Sequence, residues 1–383
     1  NTSTGTLTLD GTVYTTTGTQ TYTAATGGGN IDITNTAGTT FTTTNTAIAF
    51  NTSGVDLANN ATTTIDTGTG AGDVTFQGAI ETNGSDNDIL TVTSGTGTVT
   101  FTGAIGATEE LGGLNVNASS GNGVITFTST IGDSGNAGVI GTTSIGNDAT
   151  SDLNFNSTIY KFDGATTITA ASGDTIDMGA GAATTFTTAA DNITFATGNI
   201  ELANGSNLTV DTGAAGGNIT IGEIGGTSVE TVTLDAGTGT TSVGVIGSGT
   251  EIGALSIGSA ENGGITLNGA ITTDGVVTLD GPITLATGAI TITTADDAIN
   301  LQGTVDGGQA LTLSSGSAAI TADGAIGSST ALTSLTVNSS GAGTIEITDI
   351  GTSSAAGVSG ATAIGNTSTG TLTLDGTVYT TTG

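Results

Sequence analysis

The sequence predicts an all-β chain wound as a parallel β-helix, a rod-like β-solenoid, and three observations carry that expectation. Apolar and polar residues alternate in short runs, the two-residue period of a strand. These runs return every 20-odd residues, the recurrence expected of stacked coils. Asn1 to Gly18 also reappears letter for letter as Asn366 to Gly383, a period of 366 − 1 = 365 residues.

The smallest unit reads apolar, any, apolar, any, small, any, apolar. It occurs as Leu7-Thr-Leu9-Asp-Gly-Thr-Val13, Val74-Thr-Phe76-Gln-Gly-Ala-Ile80, Val99-Thr-Phe101-Thr-Gly-Ala-Ile105, Ile125-Thr-Phe127-Thr-Ser-Thr-Ile131 and Leu153-Asn-Phe155-Asn-Ser-Thr-Ile159. It returns at Ile265–Ile271, Val277–Ile283, Ile299–Val305, Ile320–Ile326 and Leu372–Val378. Its first three residues form a strand with two side chains inward and one outward. The Asp-Gly, Asn-Gly or Gln-Gly step that often follows is a turn, because glycine tolerates positive φ. The next apolar residue comes two positions later, too soon for a hairpin, so the turn is a corner. Phe50, Phe76, Phe101, Phe127 and Phe155 are 26, 25, 26 and 28 residues apart, which places one Phe per coil in a single column. Leu279, Leu301 and Ala322 continue at intervals of 22 and 21. Leu267 to Leu279 is only 12 residues, so the unit is expected on more than one side of a coil.

Helices are not expected, since Thr and Gly dominate and no 3.6-residue periodicity is sustained. With strands about 4.8 Å apart and roughly 23 residues per coil, one period makes on the order of 16 coils and about 75 Å.

A larger unit links coils: Ile105-Gly-x4-Leu111-x2-Leu114-x-Val116, Ile246-Gly-x4-Ile252-x2-Leu255-x-Ile257 and Ile326-Gly-x4-Leu332-x2-Leu335-x-Val337, with a shorter version from Ile224 to Val229. Each carries the chain around an enlarged corner into the next strand. Residues 1–383 read as one continuous solenoid segment, with internal modules near 80–200, 201–305 and 306–383. The alternative is a string of β-sandwiches, since Ile224 to Ile326 spans 102 residues, a sandwich-domain length.

Composition removes most chemistry. One Lys or Arg faces 33 Asp and Glu, with no His or Cys. Serine triads therefore lack their imidazole, cysteine triads lack both thiol and imidazole, and ordinary zinc sites lack their His and Cys ligands. The net charge of −32 argues against nucleic acid and anionic membrane as partners, and no apolar run is long enough to cross a bilayer. The absence of cysteine leaves the redox compartment open. Gly132-Asp133-Ser134-Gly135 reads as a turn, because no histidine is present to take a serine proton. Gly68-Thr-Gly70-Ala-Gly72 cannot act as a phosphate loop when Lys161, the single basic residue, lies between Tyr160 and Phe162. Glu109-Glu110 and Asp296-Asp297 are acidic pairs with no cation beside them to hold an anionic substrate. No catalytic, cofactor-binding or metal-binding residue is assigned, and the chain is not expected to be an enzyme. Calcium is the one cofactor weighed, on Asp86-Asn87-Asp88, Asp296-Asp297, Asp10 and its copy Asp375, although neither an EF-hand nor a calcium nonapeptide is present.

The outward residue of the repeated strand is Thr in eight of ten occurrences and Asn at Asn154 and Asn300. Such a ladder suits a sheet, and it also raises a carbohydrate or crystalline ligand as an alternative. Tyr14, Tyr22, Tyr160 and Tyr379 are too scattered to form an aromatic platform.

The Ile-Gly-x4-Leu-x2-Leu-x-Val pattern, among Thr-rich strands that end in Asp-Gly-Ala-Ile or Asn-Gly-Ala-Ile, resembles the repeat regions of giant bacterial exoproteins of the filamentous-haemagglutinin type, over most of the chain. The resemblance implies a right-handed parallel β-helix, secreted and displayed at the cell surface in adhesive or structural fibres. The expected function is a structural extracellular fibre, adhesin stalk or sheath. Its partners would be neighbouring repeats of the same chain and self-association into fibres or bundles.

Overall fold

A computed structural model describes residues 5–24, 28–51, 54–84, 87–258 and 263–383. Among these residues there is no helix, and the strands pair in parallel as a β-solenoid of about 15 turns. The one antiparallel contact among the described residues is an isolated bridge between Thr352 and Ala355. Parallel neighbours tens of residues apart in sequence rule out the β-sandwich alternative, whose sheets are antiparallel. The chain divides into two compact units, Asn1–Glu201 and Leu202–Gly383.

Three strands per coil build the first unit, and the opening coils show why. Leu7–Leu9 runs along one side, Val13–Thr15 along a second and Gln20–Tyr22 along a third. The next coil repeats this order with Ile31–Ile33, Thr39–Thr42 and Ile48–Phe50. Alternation then sorts each three-residue strand into two inward side chains and one outward. Stacking in register turns the inward residues into columns.

One column is Tyr22, Phe50, Phe76, Phe101, Phe127, Phe155 and Met178. From Phe50 to Phe155 successive ring centroids are 4.8, 5.4, 4.9 and 5.3 Å apart, and the planes lie within 8° of parallel. This is the Phe column that the spacing predicts. A second column runs Tyr14, Phe41, Ile65, Val92, Val116, Ile145, Ile168 and Phe195. The third passes from Leu7 and Ile31 through Val55, Ile80, Ile105 and Ile131 to Tyr160 and Phe186. All 9 Phe of the chain lie in this unit.

The second unit replaces rings with aliphatic columns. Val210, Leu234, Ile257, Leu279, Leu301, Ala322, Ile347 and Leu374 form one. Ile224, Ile246, Ile271, Ile292, Leu313, Val337 and Ile364 form another. Leu267 pairs with Val243 and Leu285 on a different side from Leu279. The repeated unit therefore does occupy more than one side of a coil, as its 12-residue spacing requires.

The larger unit behaves as a corner. Ile105 bridges Ile80 and Ile131, Leu111 bridges Val139, and the chain re-enters a strand at Gly113–Val116. Ile326, Leu332 and Ser334–Asn338 repeat that course.

The reason for glycine in the small corner differs from the expected one. Among the unit's corner glycines only Gly281 has positive φ, at 138°. Gly103, Gly269, Gly303, Gly324 and Gly376 are needed because coils touch there, whereas a Cβ on Gly11 would meet the Tyr14 hydroxyl of its own corner at 2.9 Å. A Cβ on Gly103 would lie 2.1 Å from the carbonyl carbon of Gly78, and one on Gly324 2.3 Å from that of Gly303. Buried hydroxyls close other corners: Thr67 donates to the Gly72 carbonyl at 2.7 Å, Ser94 to Gly97 at 2.7 Å, Thr212 to Gly217 at 2.7 Å and Ser339 to Gly343 at 3.0 Å.

Two substitutions test the columns and corners. Phe101→Ala should cost about 3–5 kcal/mol of local stability, read as lost hydrogen-exchange protection in the coils of Phe76 and Phe127, because each coil leans on its neighbours. Gly103→Ala should deprotect the same coils although it adds only a methyl group. Unchanged protection would remove close approach as the reason for glycine there.

Candidate functional site

Outward side chains are the surface through which a solenoid meets its surroundings, and the same register that stacks the core stacks them. On the second side of the first unit, Thr40, Thr64, Thr91, Asn115, Ser144, Thr167 and Thr194 form a polar ladder. On the third side Thr75, Thr100, Thr126, Asn154 and Asp177 follow one another, and the Asn154 amide donates to Thr126 Oγ1 at 3.2 Å. In the second unit the sequence Thr209, Thr233, Ser256, Thr278, Asn300, Thr321, Glu346, Thr373 is continuous. The ten outward Thr and Asn of the repeated unit therefore do not share one ladder. Thr8 and Thr266 belong to others.

The first side carries a feature that the repeated unit did not disclose. Thr8, Asp32, Asp56 and Glu81 are in register on successive coils, so three carboxylates stack at the strand spacing. The Asn30 amide donates to Asp56 Oδ2 at 3.0 Å. Burial, a hydrogen bond to Asp56 and the Asp56 charge push the Asp32 carboxyl up from its ordinary range. Burial also raises Glu81, with the Asp56 charge adding to it, against hydrogen bonds from the backbone of residues 107–109. The signal was an acidic residue between two apolar ones, in Ile31-Asp32-Ile33 and Val55-Asp56-Leu57.

The acidic candidates do not gather. Asp86 lies outside the described residues, whereas Asp88 is buried. Asp10 Oδ1 accepts from Thr34 Oγ1 at 3.2 Å. Asp296 Oδ1 accepts the Ser317 N–H at 2.9 Å, and hydrogen bonds from Ser317 hold that carboxyl below its usual range. The Asp297 carbonyl accepts from Thr294 Oγ1. Glu109 donates its N–H to Glu81 Oε2 at 2.9 Å. Among the described residues no three Asp, Glu, His or Cys side chains converge as a metal ion would need.

Gly132 to Gly135 is a turn built on Asp133, whose Oδ1 accepts the N–H groups of Gly135 and Asn136, both at 2.6 Å. Those two bonds lower the Asp133 carboxyl, aided by the Lys161 charge and opposed by slight burial. The Lys161 ammonium donates to the Gly135 carbonyl at 2.8 Å and so spans two coils. Glu230, fully buried, receives the N–H and hydroxyl of Thr227, both at 2.6 Å, and the Gly205 N–H at 3.2 Å. Burial pushes this carboxyl up, and the hydrogen bonds outweigh burial and leave it lowered.

Tyrosines serve the corners. Gly11 donates its N–H to Tyr14 Oη at 2.9 Å, Ser157 to Tyr160 at 2.9 Å and Gly376 to Tyr379 at 2.7 Å, each three residues along. Tyr14 stacks on Phe41 and Tyr160 on Phe186. Burial raises Tyr160, opposed by the Ser157 bond, and burial with the Tyr14 charge pushes Tyr22 up to about 12.

No protein-family model, curated protein or solved structure matches the chain. Function is therefore argued from ladders, corners and repetition.

A carboxyl whose folded pKa is raised contributes stability below its unfolded value, near 4, and loses that contribution as pH rises through the folded value. Asp32 and Glu81 thus make the first unit more stable toward acid. Asp32→Asn should raise stability at pH 7 by about 0.2–1 kcal/mol, the scale of exposed charge pairs, and should flatten the gain between pH 7 and pH 4. Denaturant unfolding at the two pH values checks this, and an unchanged slope would show that the stacked carboxylates do not interact.

Proposed function

We propose that the chain is one period of a tandem-repeat structural protein, an extracellular fibre, adhesin stalk or sheath component of a bacterial surface. One observation carries the reading. Residues 366–383 repeat the sequence of 1–18, and two local features recur with it: Leu372–Leu374 is a strand as Leu7–Leu9 is, and the Gly376 N–H meets Tyr379 Oη as Gly11 meets Tyr14. Backbone ladders supply stiffness, stacked side chains a continuous core within each unit, and covalent repetition the length. Unpaired carboxylates outside keep such surfaces apart. The resemblance to haemagglutinin-type exoproteins supports the surface location and the adhesin role.

A second reading, recognition of a carbohydrate or crystalline surface, draws on the in-register ladder from Thr40 to Thr194. Binding that is lost on charging Thr91 and Thr167 together would favour it.

Denatured source protein digested with trypsin tests the array. Lys161 is the single tryptic site of the period, so complete cleavage should release fragments of 365 residues. Immuno-electron microscopy with antibody to the chain should label filaments outside the cell. Label confined to the cell interior, or no such fragment, would contradict the proposal.

A further inference from the structure

The corner from Ile224 to Val232 is one residue shorter than those from Ile105 to Leu114, Ile246 to Leu255 and Ile326 to Leu335, and the missing residue turns two side chains over. In the longer corners the residue three places before the first Leu of the strand is Leu111, Ile252 or Leu332, and all three are fully buried. Here that position is Val229, which is 60% exposed, whereas Glu230 beside it is fully buried. Strand alternation accounts for the exchange, since the side chains from Val229 to Val232 point out, in, out and in. Ser228 enters this arrangement at φ 76°, in the left-handed region that is costly for a residue with a Cβ.

Glu230 lies among donors. Its carboxylate accepts the Thr227 N–H and hydroxyl, both at 2.6 Å, the Gly205 N–H at 3.2 Å and its own backbone N–H. Gly205 belongs to the coil below, in a turn that the Ser206 N–H closes on the Ala203 carbonyl at 2.8 Å, so the carboxylate ties two coils together. Space is matched as closely, for a Cβ on Gly226 would lie 3.0 Å from Glu230 Oε2. The second unit holds no Lys or Arg, so hydrogen bonds alone balance the buried charge. Residues 203–207 below carry no titratable group, residues 250–254 above carry Glu251, and the strand that leads into the corner carries Glu223, which accepts from the Ser248 hydroxyl. A protonated carboxyl suits this site badly, because it brings a hydrogen of its own to face donors, and a buried polar group without its partners is costly.

We propose that Glu230 is an acid-released latch: as a carboxylate it pins the 203–206 turn to the next coil and keeps Val229 outside, and once protonated it leaves the inward position to Val229. The released arrangement is the one that Leu111, Ile252 and Leu332 hold in the longer corners, with an aliphatic side chain inward. It buries an apolar side chain and relieves Ser228 of its positive φ. Burial raises the Glu230 carboxyl, and its hydrogen bonds outweigh burial and leave it lowered. A lowered carboxyl contributes stability above its unfolded value, about 4.3 for Glu, and that contribution is lost as pH falls through the folded value. Acid thus frees this corner of the second unit while it relieves the carboxylate stack of the first.

The chain has no cysteine, so Val229→Cys supplies a single thiol. At pH 7 a maleimide should label it at least tenfold faster in the protein that keeps Glu230 than in Val229→Cys/Glu230→Gln, where the amide carries hydrogens into the site without acid. Hydrogen exchange of the Gly205 N–H reads the other half of the latch. Corrected for the intrinsic rate, its protection should fall at least tenfold between pH 6 and pH 3 with Glu230 present, while Leu234, buried in the adjoining strand, keeps its own. With Glu230→Gln the Gly205 N–H should be deprotected at both pH values. Gly226→Ala, which crowds the carboxylate without changing its charge, should deprotect Gly205 at pH 7. Gly205 protection that is equal at pH 6 and pH 3, that is unaltered by Glu230→Gln, or that falls only together with Leu234 would overturn the latch. Labelling that is no slower beside Gln would show that the corner opens without drawing residue 229 inward, and would also overturn the proposal.

Discussion

The rise from one coil to the next, set by the parallel backbone ladder at about 4.8 Å, is the constraint on which the remaining structure depends. A side chain in register has no choice of distance to its counterpart. The rings from Phe50 to Phe155 meet near face to face at 4.8–5.4 Å because the backbone brings them there, a separation that flat rings tolerate well when offset. The same rise explains why Gly103 cannot carry a Cβ above Gly78. It also forces Asp32, Asp56 and Glu81 into a like-charge stack that an isolated strand would not impose.

Each coil therefore divides its residues by direction. Inward positions take flat or branched apolar side chains, and the two units answer this differently, with rings in the first and aliphatic side chains in the second. Outward positions take Thr and Asn, which bond along the ladder, as Asn154 does to Thr126. Corners take glycine for proximity, buried hydroxyls such as Ser94 to close the turn, and Tyr hydroxyls that cap a corner N–H. The high Thr content reflects the last two demands as well as strand propensity.

Strands and their columns were legible in the sequence because alternation and a near-constant interval are both one-dimensional signals. Phe50, Phe76, Phe101, Phe127 and Phe155 declare their column by spacing alone. The division of coils into three sides was less visible, since the same unit serves different sides, as Leu267 and Leu279 do. Gly103 was legible as a corner but not for its reason, because close approach depends on the coil below and φ does not reveal it. The stack of Asp32, Asp56 and Glu81 escaped the motif because only register shows that residues 24 and 25 positions apart are neighbours. The acidic candidates Asp296 and Asp297 lie in a bend, whereas Asp10 directly follows the Leu7–Leu9 strand outside any turn.

Distance measurement between spin labels in the first unit tests the stacking account most directly. Ala49, Thr75, Thr100, Thr126 and Asn154 are outward residues in successive register. Ala49 and Asn154, 105 residues apart in sequence, are therefore four coil rises apart, or about 19 Å. Ala49→Cys/Asn154→Cys labelled with nitroxides should give one narrow distance distribution near that value, widened only by the label linkers. A broad distribution, or a peak beyond about 35 Å, would contradict a stack of in-register parallel coils built at the spacing of the backbone ladder.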